Sequence, residues 1–314
     1  MRVKRSNIQI KANPKRVIIN FLDLAINTNN TGRANRLLDS VLSIPEDELN
    51  ELYEEIKTNF DFRHRNFEHY LKINFRKMQV IIPSNVVISQ LRSLVIGAYF
   101  SKEYSIQSAA LFNPSMVAHP NQNGLKEGDK RFILSLRSVG EGHISSIEFR
   151  SGIVNKDGEI KLDEETGFTS CSEKERKKIY NKENILKNTN VLDDFDQSIM
   201  NAFEETFTFD DYLEKVRENE FSTFDEVTQD ELFHILDTNY DVVTDGNAPI
   251  CERVIFPNAV GESMGMEDVR FVAFTENGKT QYIGTYTAYN GHKISPQLII
   301  TEDFVHFKAR SMYG

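Results

Sequence analysis

The period of apolar and polar positions changes near residue 105, and this change divides the chain. Upstream, Val17, Ile18, Phe21, Leu22 and Ala25 recur at three- and four-residue spacing after Pro14, and Leu37, Leu38, Val41 and Leu42 continue the pattern. That spacing puts apolar side chains on one face of a helix, with Pro14 at a position where a helix can begin. Ser43 precedes Ile44-Pro45-Glu46-Asp47-Glu48, so a second helix is predicted with Ser43 as its N-cap and acids favoured by the dipole. Leu49, Leu52, Tyr53 and Ile56 form its apolar stripe, and a further helix is expected from Ser84 through Phe100. Residues 1–104 therefore read as a helical N-terminal domain without β signals. It carries no cluster of chemistry, which assigns it to packing or to self-association. The basic, aromatic run from Phe62 to Phe67 reads as a solvated helix face.

Downstream, the pattern is that of short strands. Arg131 to Arg137 and His143 to Arg150 read as two strands, and the turn Lys156-Asp157-Gly158-Glu159 leads to a third near Ile160. A second group comprises Val269–Thr275, Gln281–Ala288, Ile294–Thr301 and Val305–Lys308, with turns at Glu276-Asn277-Gly278 and Asn290-Gly291-His292. Two groups of about four antiparallel strands suggest two blades of a β-propeller. Residues 162–247 between them are acidic and partly helical, with one helix expected from Asp210 to Asn219, and read as an insertion or lid. Two blades cannot close a ring, so residues 105–314 are expected to be part of a longer propeller.

Composition narrows the function classes. The 314 residues are 39% hydrophobic and 27% charged, a globular profile, and the length suits two domains. A net charge of -10 argues against a nucleic-acid partner, which needs a basic face to neutralise phosphates. Two distant cysteines, Cys171 and Cys251, argue against a disulfide framework and a structural zinc site. No stretch has the roughly 18 apolar residues that span a bilayer. The basic start Met1-Arg-Val-Lys-Arg is followed by an apolar run interrupted by Asn20 and Asp23, which points to the cytoplasm rather than to export.

Polar groups cluster beside strands in three segments: Phe112 to Val117, Ser135 to Arg150, and Glu262 to Phe271. Gly140, Gly142 and Gly265 permit tight turns, and carboxylates flanked by arginines suit the recognition of vicinal hydroxyls and the delivery of a proton. On this chemistry alone, an Asp-Arg pair at a strand start is more often a structural ion pair than a catalyst.

The segment Glu262-x-x-Gly265-Met266-Glu267-Asp268-Val269-Arg270 resembles the Glu-x-x-Gly-Ile-Glu-Asp-Pro-Arg signature of glycoside hydrolase family 130. Tyr282-x-x-Thr285-Tyr286-Thr287-Ala288-Tyr289, Asn113-Pro114-Ser115 and Leu136-Arg137 resemble three further segments of that family, and Gly140 to Ser146 resembles a longer branch with a helical front end. Val269 stands where the family has proline, and Leu136 where it has an aromatic residue. The resemblance covers about residues 105–314. It implies a mainly β fold, a five-bladed propeller only partly present here, and inverting cleavage of β-mannosides.

In that scheme Asp268 is the proton donor, relayed through a sugar hydroxyl. Asn113, Arg137, Ser145, Arg150, Glu267, Arg270 and Tyr289 bind the sugar or the nucleophile. The implied reaction is phosphorolysis to mannose 1-phosphate, with hydrolysis as by a β-1,2-mannosidase, or non-catalytic carbohydrate binding, as alternatives. Inorganic phosphate is a co-substrate of the first, and no metal or organic cofactor is implied. The expected partners are an oligosaccharide and, through the helical front end, a second copy of the chain, with neither nucleic acid nor membrane. Asn113, Arg137 and Asp268 are expected to converge near the propeller axis, where the inner strand ends of successive blades meet.

Overall fold

The computed structural model describes residues 7–24, 31–175, 178–189, 192 and 194–312. The basic start at residues 1–5, Ala25 and the last two residues lie outside these. The chain forms two compact units, one of residues 13–108 and 166–170, the other of residues 1–12, 109–165 and 171–314.

Among the described residues the first unit holds four α-helices, α1 (Gly32–Leu42), α2 (Leu49–Phe60), α3 (Phe67–Met78) and α4 (Gln90–Tyr99). Ala34, Leu38 and Val41 of α1 are buried at the spacing of one helix face, as are Phe67, Leu71, Asn74 and Met78 of α3. The buried Arg92 of α4 donates to the carbonyls of Val41, Leu42 and Ile44 and to Glu46, satisfying the end of α1.

The unit is not wholly helical. Val17–Phe21 is a strand, β1, paired antiparallel with β2 (Ser101–Ser105). The run Val17-Ile18-Ile19 is β-branched, and β-branched residues favour a pleated surface over a helix. Ser43 is also corrected: it closes α1 as its C-cap, while α2 starts at Leu49. The helix expected from Ser84 begins at Gln90, where Ser89 Oγ accepts from Arg92 N at 3.1 Å.

The second unit is built on one 12-stranded sheet. Its first meander is β3 (Ala110–Ala118), β4 (Lys130–Val139), β5 (Ser145–Val154) and β6 (Ile160–Leu162). Short strands β7 (Ser170–Cys171) and β8 (Glu173–Lys174) follow. A pair outside the sheet, β9 (Ile179–Asn181) with β10 (Thr206–Thr208), flanks α5 (Lys182–Thr189). Next come α6 (Phe209–Arg217), α7 (Glu226–Thr238), β11 (Tyr240–Val243) and β12 (Arg253–Ile255). The last meander is β13 (Gly265–Glu276), β14 (Lys279–Tyr289), β15 (Ile294–Thr301) and β16 (His306–Ser311).

The last meander and β4, β5 and β6 of the first match the strands expected from the alternation, whereas β3 was not expected. Asn277 and Gly278 take the two positive φ angles, 49° and 76°, that a tight two-residue hairpin turn requires. Residues 179–238 supply a second apolar core, including Tyr180, Phe203, Phe207, Leu232 and Ile235. Its α6 is fixed by a capping box between Thr208 and Asp211.

The propeller expectation is overturned. Blades are separate sheets arranged radially, whereas here both meanders are joined edge to edge in the order β3-β4-β5-β13-β14-β15-β16-β11-β8. The junction is a parallel bridge between Gly265 and Ser145. The sheet is open, and the protein is about one third helix and one third strand, a mixed α/β architecture rather than a mainly β one. One apolar core, in which Phe149 and Phe304 contact each other and both Phe271 and Phe307 through their rings, covers both meanders.

Candidate functional site

Strands β3 and β13 both carry a bulge, and the bulges bring the candidate residues together. Pairing of β3 with β4 shifts register between Phe112 and Ser115, and pairing of β13 with β14 shifts between Glu267 and Arg270. Inside these bulges Asn113 and Asp268 have left-handed backbones, with φ of 51° and 55°. Asparagine and aspartate tolerate that region better than other chiral residues, and bulges re-aim the side chains they carry.

Asn113 Nδ2 donates to Asp268 Oδ1 at 2.6 Å. Arg137 on β4 is the hub of the cluster. Its Nη1 donates to the same Asp268 Oδ1 at 3.3 Å, its Nη2 to Glu267 Oε1 at 2.5 Å, and its Nε to Ser145 Oγ at 2.9 Å. Three of its N–H donors are thus spent inside the protein. One face of the guanidinium lies over the Phe112 ring, 5.2 Å from the centroid. Asp268 has one oxygen held by two donors, and its side chain is 42% exposed against 18% for Arg137.

The two strands are stitched together by side chains. Arg270 Nη1 donates to the carbonyls of Asn113 at 2.9 Å and Pro114 at 2.7 Å. The amide of Phe271 donates to Ser115 Oγ at 3.2 Å. Arg270 thus clamps the β3 bulge through two backbone carbonyls.

Glu262, five residues before Glu267, is a buried carboxylate. It accepts from Tyr286 Oη at 2.5 Å, from Tyr240 Oη at 2.9 and 2.7 Å, and from the amides of Asn258 and Ala259. Burial pushes its pKa up, and hydrogen bonds from Tyr286, Asn258 and Tyr240 oppose that rise. The Glu262 and Tyr286 of the sequence motifs are thus a support beneath the bulge rather than reacting groups. Gly265 stands where β13 meets β5. Its φ is 142°, and a Cβ there would lie 2.6 Å from the backbone nitrogen of Ser145.

Asn113, Arg137, Ser145, Glu267 and Asp268 form one cluster, Arg270 adjoins it, Tyr289 pairs in register with Gly265 at the β5–β13 junction, and Arg150 lies further along β5. Arg150 is buried five residues beyond Ser145, donating to the Phe149 carbonyl at 2.8 Å and ion-paired with Glu165 at 2.8 Å. Tyr289 donates to the carbonyl of Gly291 at 3.0 Å. The residues that sequence reasoning missed are Phe112 and Ser115; both lie in the segment already marked by Asn113-Pro114.

Cavities lie elsewhere in this unit. One of about 510 Å³ is lined by Arg131, Asp163, Arg253 and Asp303, among others. Arg253 spends its guanidinium on the carbonyls of Gly246, Ala248 and Phe304, and Asp303 caps the turn to Val305 and His306.

Among the described residues no group of three His, Cys, Asp or Glu is placed to hold a metal ion, and no helix is long and apolar enough to cross a membrane. Comparison of the chain with family models, curated proteins and solved structures finds no match.

Proposed function

We propose that this protein is a carbohydrate-active enzyme that cleaves β-mannosidic bonds with inversion, by phosphorolysis to mannose 1-phosphate. The observation that carries the reading is the asymmetry of Asp268. Asn113 and Arg137 both anchor Oδ1, which leaves Oδ2 as the oxygen that meets a ligand. A carboxyl group fixed on one oxygen and open on the other is equipped to hand a proton to a leaving glycosidic oxygen, directly or through a sugar hydroxyl. The resemblance of Glu267-Asp268-x-Arg270 to a glycosidase signature supplies the substrate class.

Glu267 and Asp268 share one guanidinium and so stand on the same side of the site. Inverting hydrolysis needs a carboxylate base across the sugar, about 6.5–9.5 Å from the acid, to activate water. Phosphate arrives as an anion and needs no such base, so the side-by-side placement favours phosphorolysis. In that reaction a phosphate oxygen bonds to the anomeric carbon, the glycosidic C–O bond breaks, and the leaving oxygen takes the proton from Asp268. The cytoplasm is the compartment this reading assigns.

The test incubates the chain with β-1,4- and β-1,2-mannobiose, with and without inorganic phosphate. Phosphate-dependent mannose 1-phosphate is the expected product. Free mannose made without phosphate would indicate hydrolysis. Binding of either sugar without cleavage would indicate a non-catalytic carbohydrate-binding protein, and neither binding nor cleavage would remove the substrate class.

A further inference from the structure

We propose that Phe112 is the stacking platform of the site, the flat apolar surface on which a pyranose ring of the substrate lies. This rests on the reading of the cluster as a glycoside site and adds the group that orients the sugar. Phe112 precedes Asn113 at the start of the β3 bulge and pairs in register with Arg137. It is 37% exposed, although burying an aromatic ring is ordinarily favourable. Of the exposed phenylalanines, Phe60, Phe62, Phe112 and Phe274, Phe112 is the one against the carboxylate cluster.

Arg137 explains why the ring stays in place while exposed. Its guanidinium covers the ring at 5.2 Å and is itself fixed by Glu267, Asp268 and Ser145. A cation on a π face attracts the ring electrostatically, and pinning the cation by three partners pins the ring with it. The uncovered part of the ring stays open to a ligand.

A pyranose has the complementary surface. Its axial C–H groups form an apolar face and its hydroxyls radiate from the rim. An aromatic plane flanked by a few placed polar groups is the usual composition of a small-molecule site. Here the plane is Phe112 and the flanking groups are the Asn113 amide and the free oxygen of Asp268. With no tryptophan in the chain, stacking falls to phenylalanine or tyrosine. A ring laid on Phe112 would bring its rim hydroxyls to the residues that the adjacent bulges re-aim.

The experiment measures binding of β-1,4- and β-1,2-mannobiose by calorimetry to the full chain and to Phe112→Ala, Phe112→Leu and Phe112→Tyr, with thermal melts to establish folding. Leucine keeps apolar volume without a planar face, and tyrosine keeps the face. The expected result is a loss of about tenfold in affinity for Ala and Leu, with Tyr within about threefold of the parent. Equal affinity for Leu and Phe, or unchanged affinity for Ala, would overturn the platform while leaving the glycoside reading intact. A parent chain that binds neither mannobiose would overturn both.

Discussion

Asn113 donates its side-chain amide to Asp268 across 2.6 Å, and both residues hold left-handed backbone angles in bulges on strands that do not pair with each other. The bond therefore connects two independently distorted strands, and its length depends on both bulges being kept. Asn113→Ala would lose the donor and place a Cβ residue of poor left-handed tolerance at φ 51°, at about 1–2 kcal/mol for the backbone. Asn113→Gly would lose the same donor without that strain. We expect the glycine variant to melt higher than the alanine variant while both lose mannobiose turnover to a similar degree. Full turnover in Asn113→Gly would mean that only the backbone shape matters.

Gly265 locks the two meanders at their junction. A methyl group at this φ of 142° would press on the Ser145 backbone, and Ser145 is also the partner of Arg137 Nε. Gly265→Ala should cost about 2–4 kcal/mol from backbone strain and overpacking together. Denaturant melts measure the loss. A variant within about 0.5 kcal/mol of the parent would show that the β5–β13 contact relaxes freely.

Glu262 is where burial and hydrogen bonding oppose each other. Two tyrosine hydroxyls and two backbone amides point at its carboxylate. Glu262→Ala would leave these donors unsatisfied in the interior and should destabilise by about 3–5 kcal/mol, whereas Tyr286→Phe removes one donor and should cost about 1–2 kcal/mol. If Glu262→Ala were no more damaging than Tyr286→Phe, the cluster would not be acting as a connected support.

These residues also mark how far the sequence could be read. The strands of both meanders other than β3, and the turn at Asn277-Gly278, follow from alternation and turn chemistry, which are local. Convergence of Asn113, Arg137 and Asp268 was expected at a propeller axis; the three residues do meet, but through bulges within one open sheet. The arrangement of the meanders was not legible, because an antiparallel meander has the same pattern whether it stands as a blade or continues a sheet. One bridge, Gly265 to Ser145, decides between these, and its two residues are 120 positions apart. Val17–Phe21 was misleading for a related reason: five residues fit a helical and an extended period alike, and the partner strand at Ser101–Ser105 lies 84 positions beyond its start. The clamp that Arg270 makes on the β3 bulge was invisible because its acceptors are backbone carbonyls, which no side-chain motif records.

Lys178 gives a prediction in pH. Its Nζ donates to the Asn239 carbonyl at 2.5 Å and lies 3.6 Å from Asp241, which Arg310 also pairs. Burial, with help from Arg310 and Lys174 and against Asp241, brings its pKa from 10.5 down to about 8. A depressed lysine disfavours the charged folded state. Its favourable contribution is therefore complete above pH 10.5 and is lost as pH falls through about 8. Between these limits stability should rise with pH in the parent and rise less in Lys178→Met. At about 1.4 kcal/mol per pKa unit, offset by the lost bond to Asn239, Lys178→Met should gain on the order of 2 kcal/mol at neutral pH. Urea melts from pH 7 to 10 test this, and identical slopes for the two proteins would refute it.

Asp268→Asn is the decisive substitution for function. Asparagine keeps the shape of the side chain, and its carbonyl oxygen can still accept from Asn113 and Arg137, so the fold should persist. It cannot release a carboxylic proton from the oxygen that faces the ligand. General acid assistance is worth about 10²–10⁴-fold, or about 3–5 kcal/mol of barrier, so mannobiose turnover should fall by that factor while KM changes little. The measurement compares mannose 1-phosphate release by parent and variant, together with release from an aryl β-mannoside whose leaving group needs no protonation. Activity on the aryl substrate should survive far better, because only the step that Asp268 assists is bypassed. Equal losses on both substrates would make Asp268 a member of a structural ion pair with Arg137, and the site's chemistry would then have to rest on Glu267.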